Sequence, residues 1–212
     1  MAVKDFQLRF IKLAIESKAL QFGDFTLKSG RNSPYFFNAS ALLSFGHISE
    51  LSEILLLKTK DLNIKFDMIF GPAYKGIFLG SLLAAELSKQ SSMPVCFNRK
   101  EVKDHGEGGS LIGATPNGRV LIIDDVLSSG LAITEACDYL APFDVDIAGA
   151  LVTLNRQEKG QDSDQMAADE LREKGTEIFQ IVSLDDLINA ESLIDKTNLI
   201  KMQEYREIYQ GV

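Results

Sequence analysis

From about residue 51 to residue 182 short apolar runs alternate with helix-like segments, and this alternation constrains the fold more than any other feature of the sequence. Phe66 to Phe70 leads into Gly71-Pro72, and a helix is expected over 76–89. A strand at 94–97, a polar loop and strands at 119–123, 147–154 and 177–182 follow, with helices near 133–139 and 164–174 between them. Strands joined through helices make right-handed crossovers and a mostly parallel sheet with helices on both faces. The expected class is therefore α/β. Ligands of such sheets bind beyond the carboxyl ends of the strands. Ahead of this region, residues 3–19 carry apolar side chains at three- and four-residue spacing, as a packing helix would. Residues 21–44 are rich in turns and aromatics, which fits short strands or a small lobe. No repeat, low-complexity stretch or linker interrupts the chain, so the 212 residues read as one domain, with a hood lobe drawn mainly from the first 45 or so.

The most informative stretch is 120–130, an apolar strand (Val120-Leu121-Ile122-Ile123) that ends in Asp124 and Asp125 and passes through Val126 and Leu127 to Ser128-Ser129-Gly130. Two carboxylates at a buried strand end are costly unless they have partners. Sugar hydroxyls are natural donors to them. The small loop then offers hydroxyls and open backbone N–H groups at a helix start, where the dipole favours an anion. A ribose phosphate satisfies both halves. A capped helix after a solvated acidic turn is the bland alternative, and a phosphate-accepting receiver domain is a sharper one. In receivers, however, the acidic pair sits near the chain start, and here it lies past the middle.

Three further segments concentrate candidate chemistry. Residues 97–113 leave a strand with Arg99, Lys100, Lys103 and His105 and become glycine-rich, a composition suited to a lid that closes cations over a diphosphate leaving group. Gly71 to Gly76 turns from strand into helix, with Tyr74 and Lys75 placed to meet an anion. Lys28, Phe36 and Phe37 join a cation to rings on which a flat anionic heterocycle can stack, while Tyr35 reads as core. Arg156, just past a strand end, carries a planar fork suited to a carboxylate.

Residues 120–132 resemble the diphosphate-sugar signature of the type I phosphoribosyltransferases: apolar strand, Asp-Asp, apolar pair, small polar loop, Gly and Thr. The lid and the aromatic segment resemble the orotate phosphoribosyltransferases in particular. What the resemblance implies is a hooded phosphoribosyltransferase fold and transfer of a phosphoribosyl group from 5-phosphoribosyl diphosphate to orotate. It also implies Mg²⁺ carried by the diphosphate and ribose oxygens with no direct protein ligand, and a homodimer in which the lid serves the neighbouring subunit. By the same likeness Asp124, Asp125, Val126, Leu127, Ser128, Ser129, Gly130, Leu131 and Ala132 hold the ribose phosphate. Lys28, Phe36, Phe37 and Arg156 meet orotate or its co-substrate, Tyr74 and Lys75 meet the diphosphate, and Lys103 is the main catalytic group, assisted by Arg99, Lys100 and His105. A purine-type phosphoribosyltransferase would keep the acidic pair and lack this lid and aromatic segment. A non-catalytic regulator that senses the diphosphate sugar and binds nucleic acid would need a basic surface, which the net charge of -8 opposes.

Lys4, Asp5 and Arg9 interrupt the first apolar residues, which argues against a signal peptide, and no run approaches a membrane span. Cys96 and Cys137 form no disulfide framework or zinc spacing. A cytoplasmic protein with no membrane or nucleic-acid partner is expected. Leu131 stands where the family usually has Thr, which removes one hydroxyl from the phosphate loop. A hydrogen bond to a charged group contributes roughly 1.5–3 kcal/mol. Leu131→Thr should accordingly lower the Michaelis constant for the diphosphate sugar, and an unchanged constant would show that the backbone donors suffice.

Overall fold

The computed structural model describes residues 3–27, 29–103, 109–160 and 164–211, with residues 101–103 and 109 described by their backbone alone. The first helix, α1 (Asp5–Glu16), buries Phe6, Phe10, Ile11, Leu13 and Ala14 on one face. It leads to a separate two-stranded antiparallel sheet, β1 (Leu20–Thr26) with β2 (Asn32–Phe37), paired Leu20 to Phe37 and Thr26 to Asn32. Side chains alternate across a strand. Ser33, Tyr35 and Phe37 therefore turn inward while Phe36 stays exposed.

Helices α2 (Ser40–Phe45) and α3 (Ile48–Leu62) come next, followed by β3 (Met68–Gly71), α4 (Lys75–Leu87), β4 (Val95–Lys103), β5 (Gly109–Gly113) and β6 (Arg119–Leu127). After α5 (Leu131–Leu140) come β7 (Asp146–Asn155), α6 (Ala167–Glu173), β8 (Ile178–Ser183), α7 (Leu184–Ile188) and α8 (Lys196–Tyr209). The main sheet has the order β5-β4-β3-β6-β7-β8, and every neighbouring pair is parallel except β4 with β5. This is the α/β architecture expected from the sequence.

Central strand β6 shows why the sheet needs helices on both sides. Residues 120–123 are fully buried, yet they face opposite ways: Leu121 and Ile123 join the core under α1, α3 and α4, and Val120 and Ile122 join the core under α5 and α6. A strand covered on both faces must be continuously apolar. Its first polar side chains after this run are Asp124 and Asp125, at the carboxyl end.

One strand departs from the expectation. The strand expected to stop at Phe97 runs on to Lys103, because β5 returns antiparallel and supplies its ladder, from Cys96 opposite Gly113 to Lys103 opposite Gly109. The C-terminal helix α8 packs against β2 and α7, so both ends of the chain cover this side of the sheet.

Candidate functional site

An open cleft of about 1040 Å³ separates the β1–β2 hairpin from the carboxyl ends of β6 and β7. Its strand-end wall contains Asp125, Val126, Ser128, Ser129, Leu131 and Arg156, and its hairpin wall contains Thr26, Leu27, Arg31, Phe36 and the edge of Phe37. The acidic pair and the helix start belong to the same strand-end turn. The Asp125 N–H donates to Asp124 Oδ1 at 2.8 Å and the Val126 N–H to Asp125 Oδ1 at 3.0 Å, and the two carboxyl side chains also interact with each other. Gly130 then enters α5 at φ 84°, a left-handed backbone for which glycine carries no Cβ penalty. The first N–H groups of a helix have no partner within it. At α5 they lie beside Ser128 and Ser129.

Close backbone packing brings the Gly71 to Gly76 turn against this strand end. A Cβ on Gly71 would stand 2.3 Å from the Gly76 carbonyl, and one on Gly76 would stand 2.4 Å from the Ile123 carbonyl, so neither position accepts a side chain without displacing backbone. The Ala73 N–H donates to Asn98 Oδ1 at 2.8 Å, which ties the turn to β4. Lys75 donates to the Ser40 hydroxyl, and its charge acts on Asp125. Lys100 lies 5.1 Å from the Tyr74 ring centroid and acts on Asp124. Tyr74 is 64% exposed, so its ring is available to a ligand.

The wall around Arg156 is built on a carboxylate that the sequence did not single out. Glu158 Oε1 accepts from Arg156 Nε at 2.5 Å and from the Tyr205 hydroxyl, and Oε2 accepts from Arg31 Nη1 and Ser128 Oγ, both at 2.7 Å. Arg156 Nη2 donates to Ser33 Oγ at 2.9 Å and to the Tyr205 hydroxyl at 3.1 Å, while Nη1 carries no hydrogen bond among the described residues. Its guanidinium lies 4.1 Å from the centroid of the buried Tyr35 ring, within cation–π range. Burial alone would push the Glu158 pKa up. Arg156 and the hydrogen bonds from Tyr205, Arg156 and Ser128 outweigh it and leave the group below the usual carboxylate range.

Of the residues singled out from sequence, Asp125, Val126, Ser128, Ser129, Leu131, Phe36, Phe37 and Arg156 border one cleft, with Asp124 and Gly130 behind them. Lys75 and Lys100 reach the acidic pair electrostatically, and Arg99 is half-buried on β4. Leu127 is a core residue whose carbonyl accepts the Arg156 N–H at 3.0 Å, and Phe37 packs mainly against Phe10. Ala132 is exposed in the first turn of α5. Lys28, His105 and the Lys103 side chain lie outside the described residues. Arg31, Ser33, Glu158 and Tyr205 were missed. Only Glu158 had a local signal, as a second charge two residues after Arg156 in a segment that follows an apolar strand.

Burial first, and the neighbouring Asp125 second, push the Asp124 carboxyl up to about 7; burial also raises Asp125. A raised carboxyl makes the folded chain the better proton binder, so stability falls as pH rises from the unfolded value near 3.8 towards about 7 and is then level. Asp124→Asn removes this titration. The variant's melting temperature minus that of the parent should therefore increase between pH 5 and pH 8 in ligand-free protein, whereas a difference independent of pH would contradict the raised pair.

Residues 40–186 match the family model described as "Phosphoribosyl transferase domain". The chain is 45% identical to an orotate phosphoribosyltransferase of Stutzerimonas stutzeri, over 96% of this chain and 98% of that protein. It is 42% identical to the one of Aeromonas salmonicida, over 98% and 99%. Among solved structures, the orotate phosphoribosyltransferase of Francisella tularensis superposes with a TM-score of 0.81 at 34% identity, covering 96% of this chain and all of that one. An acidic strand end, an anion-ready helix start and likeness over nearly the full length agree: the chain belongs to the orotate phosphoribosyltransferase family.

Proposed function

We propose that this chain transfers a phosphoribosyl group from 5-phosphoribosyl diphosphate to orotate, giving orotidine 5'-phosphate and diphosphate in pyrimidine nucleotide synthesis. The observation that carries the choice of base is the charge count at the hairpin end of the cleft. One carboxylate, Glu158, stands between two guanidinium groups, Arg31 and Arg156, which leaves one positive charge in excess beside the exposed Phe36 ring. A flat, anionic base suits such a wall.

In this reading Asp124 and Asp125 accept hydrogen bonds from the ribose hydroxyls, and the Ser128 to Ala132 segment holds the 5-phosphate with the Ser129 hydroxyl and backbone N–H groups. A ring nitrogen of orotate attacks the anomeric carbon as diphosphate departs, with inversion. The acidic pair stands where positive charge develops on the sugar. Tyr74, Lys75 and Lys100 face the departing diphosphate, joined by Arg99, Lys103 and His105, and Lys103 is the principal group stabilising it. Lys28 completes the base and co-substrate contacts. Orotate is already acidic, so no dedicated base is assigned.

Mg²⁺ suits this site as a companion of the substrate: the buried Asp124–Asp125 pair favours a ligand that brings positive charge, and no direct protein ligand is assigned. Magnesium usually keeps waters and binds through substrate phosphates. When bound, it neutralises charge on the diphosphate. Within the same proposal the chain acts as one domain, as a homodimer whose lid serves the neighbouring subunit, and in the cytoplasm. No helix of the described residues is long and apolar enough to cross a membrane.

Incubation with orotate, the diphosphate sugar and Mg²⁺ should give loss of orotate absorbance with release of equimolar diphosphate. Turnover of hypoxanthine or guanine instead, or of none of these bases, would overturn the assignment. Lys103→Ala should reduce kcat by about a hundredfold or more while substrate binding changes little, as expected for a group that acts mainly in the transition state. Equal losses in both would contradict the lid's role.

A further inference from the structure

The Glu158 carboxylate is 2% exposed, so its own contact with a ligand is minimal, yet it engages four donors from four parts of the chain. Arg31 follows β1, Ser128 belongs to the phosphate loop, Arg156 follows β7 and Tyr205 lies on α8. We propose that Glu158 is a positioning residue that sets the base-binding arginines and the phosphate-loop serine in one register, linking the two substrate subsites of the cleft. The inference rests on the functional reading above.

Local geometry supports it. Gln157, between the two charged residues, has φ 53°, a left-handed backbone that side chains with a Cβ rarely adopt. That turn is held by a reciprocal pair: Gln157 Nε2 donates to Asp185 Oδ2 at 2.9 Å, and the Asp185 N–H donates to Gln157 Oε1 at 2.7 Å. The turn lets Arg156 and Glu158 meet at 2.5 Å although they are two residues apart. Each oxygen of Glu158 has a separate task. Oε1 fixes Arg156 against Tyr205, and Oε2 joins Arg31 to Ser128. Without this acceptor the two guanidinium groups would repel each other, and Ser128 would be free to turn away from its present direction.

The test is steady-state kinetics on the full chain, with orotate and the diphosphate sugar varied separately, beside thermal unfolding. Glu158→Gln keeps the shape of the side chain but replaces one acceptor oxygen with a donor. It should raise KM for orotate about tenfold and KM for the diphosphate sugar several-fold while kcat stays within about threefold, the signature of lost ground-state positioning. A lower melting temperature with both KM values unchanged would mean that Glu158 only stabilises the fold, and would overturn the proposal. If Glu158→Gln does not fold, Tyr205→Phe serves instead. Tyr205 lies outside the cleft lining and its hydroxyl hydrogen-bonds only to the Glu158–Arg156 pair among the described residues, so a rise of about threefold or more in KM for orotate is carried by that pair, and no rise overturns the proposal. Arg156→Lys separates the two levels of the argument. If it raises KM for orotate and Glu158→Gln does not, only the positioning role fails; if it leaves that KM unchanged, the base-site reading fails as well.

Discussion

Two adjacent carboxylates at the end of a fully buried strand set the terms for the rest of this structure. Burying charge without partners is unfavourable, and Asp124 with Asp125 lies where β6 leaves the core. The protein offsets part of this cost with its own groups: a backbone N–H on each carboxylate, Lys100 near one and Lys75 near the other. Lys75 lies in the glycine turn that presses against Ile123, and Lys100 stands over the Tyr74 ring of the same turn. The remainder is left to a ligand. Hydroxyl donors and a divalent cation are the groups that would stabilise the charged form, and a magnesium diphosphate sugar brings both.

The opposite end of the cleft follows the converse rule. There two guanidinium groups surround one buried carboxylate, and the positive charge in excess faces the space where the base would lie. Removing one partner of a buried pair exposes the other to an uncompensated charge, whereas an extra cation beside a cleft favours an anion. The cleft thus presents acceptors at one end and donors at the other. Ser128 touches both systems, since it follows the acidic pair in sequence and donates to Glu158 in space.

How much of this could be read from the sequence depended on whether the determining contacts were local. The alternation of strands and helices, the apolar run of β6 and the acidic pair at its end are local patterns, and the observed α/β sheet agrees with them. The length of β4 was hidden because Asn98-Arg99-Lys100-Glu101 is polar, and only pairing with a returning strand makes it regular. Phe36 and Phe37 looked equivalent as consecutive aromatics. The two-residue period of a strand separates them, placing Phe36 at the cleft and Phe37 mainly in the core. The knot at Glu158 was the least legible feature, because its donors come from Arg31, Ser128, Arg156 and Tyr205, and no short window contains them all.

The most direct test of the central claim is the titration of the Asp124 and Asp125 carboxyls by ¹³C NMR, in the free protein and with the diphosphate sugar and Mg²⁺ bound. The account predicts that Asp124 titrates near 7 in the free protein. Saturation with the ligand should move it down towards the ordinary carboxylate range, because hydroxyl donors and a cation favour the charged form. A carboxyl that already titrates near 4 without ligand, or that does not move when the diphosphate sugar binds, would contradict the claim that this buried acidic pair is completed by a sugar.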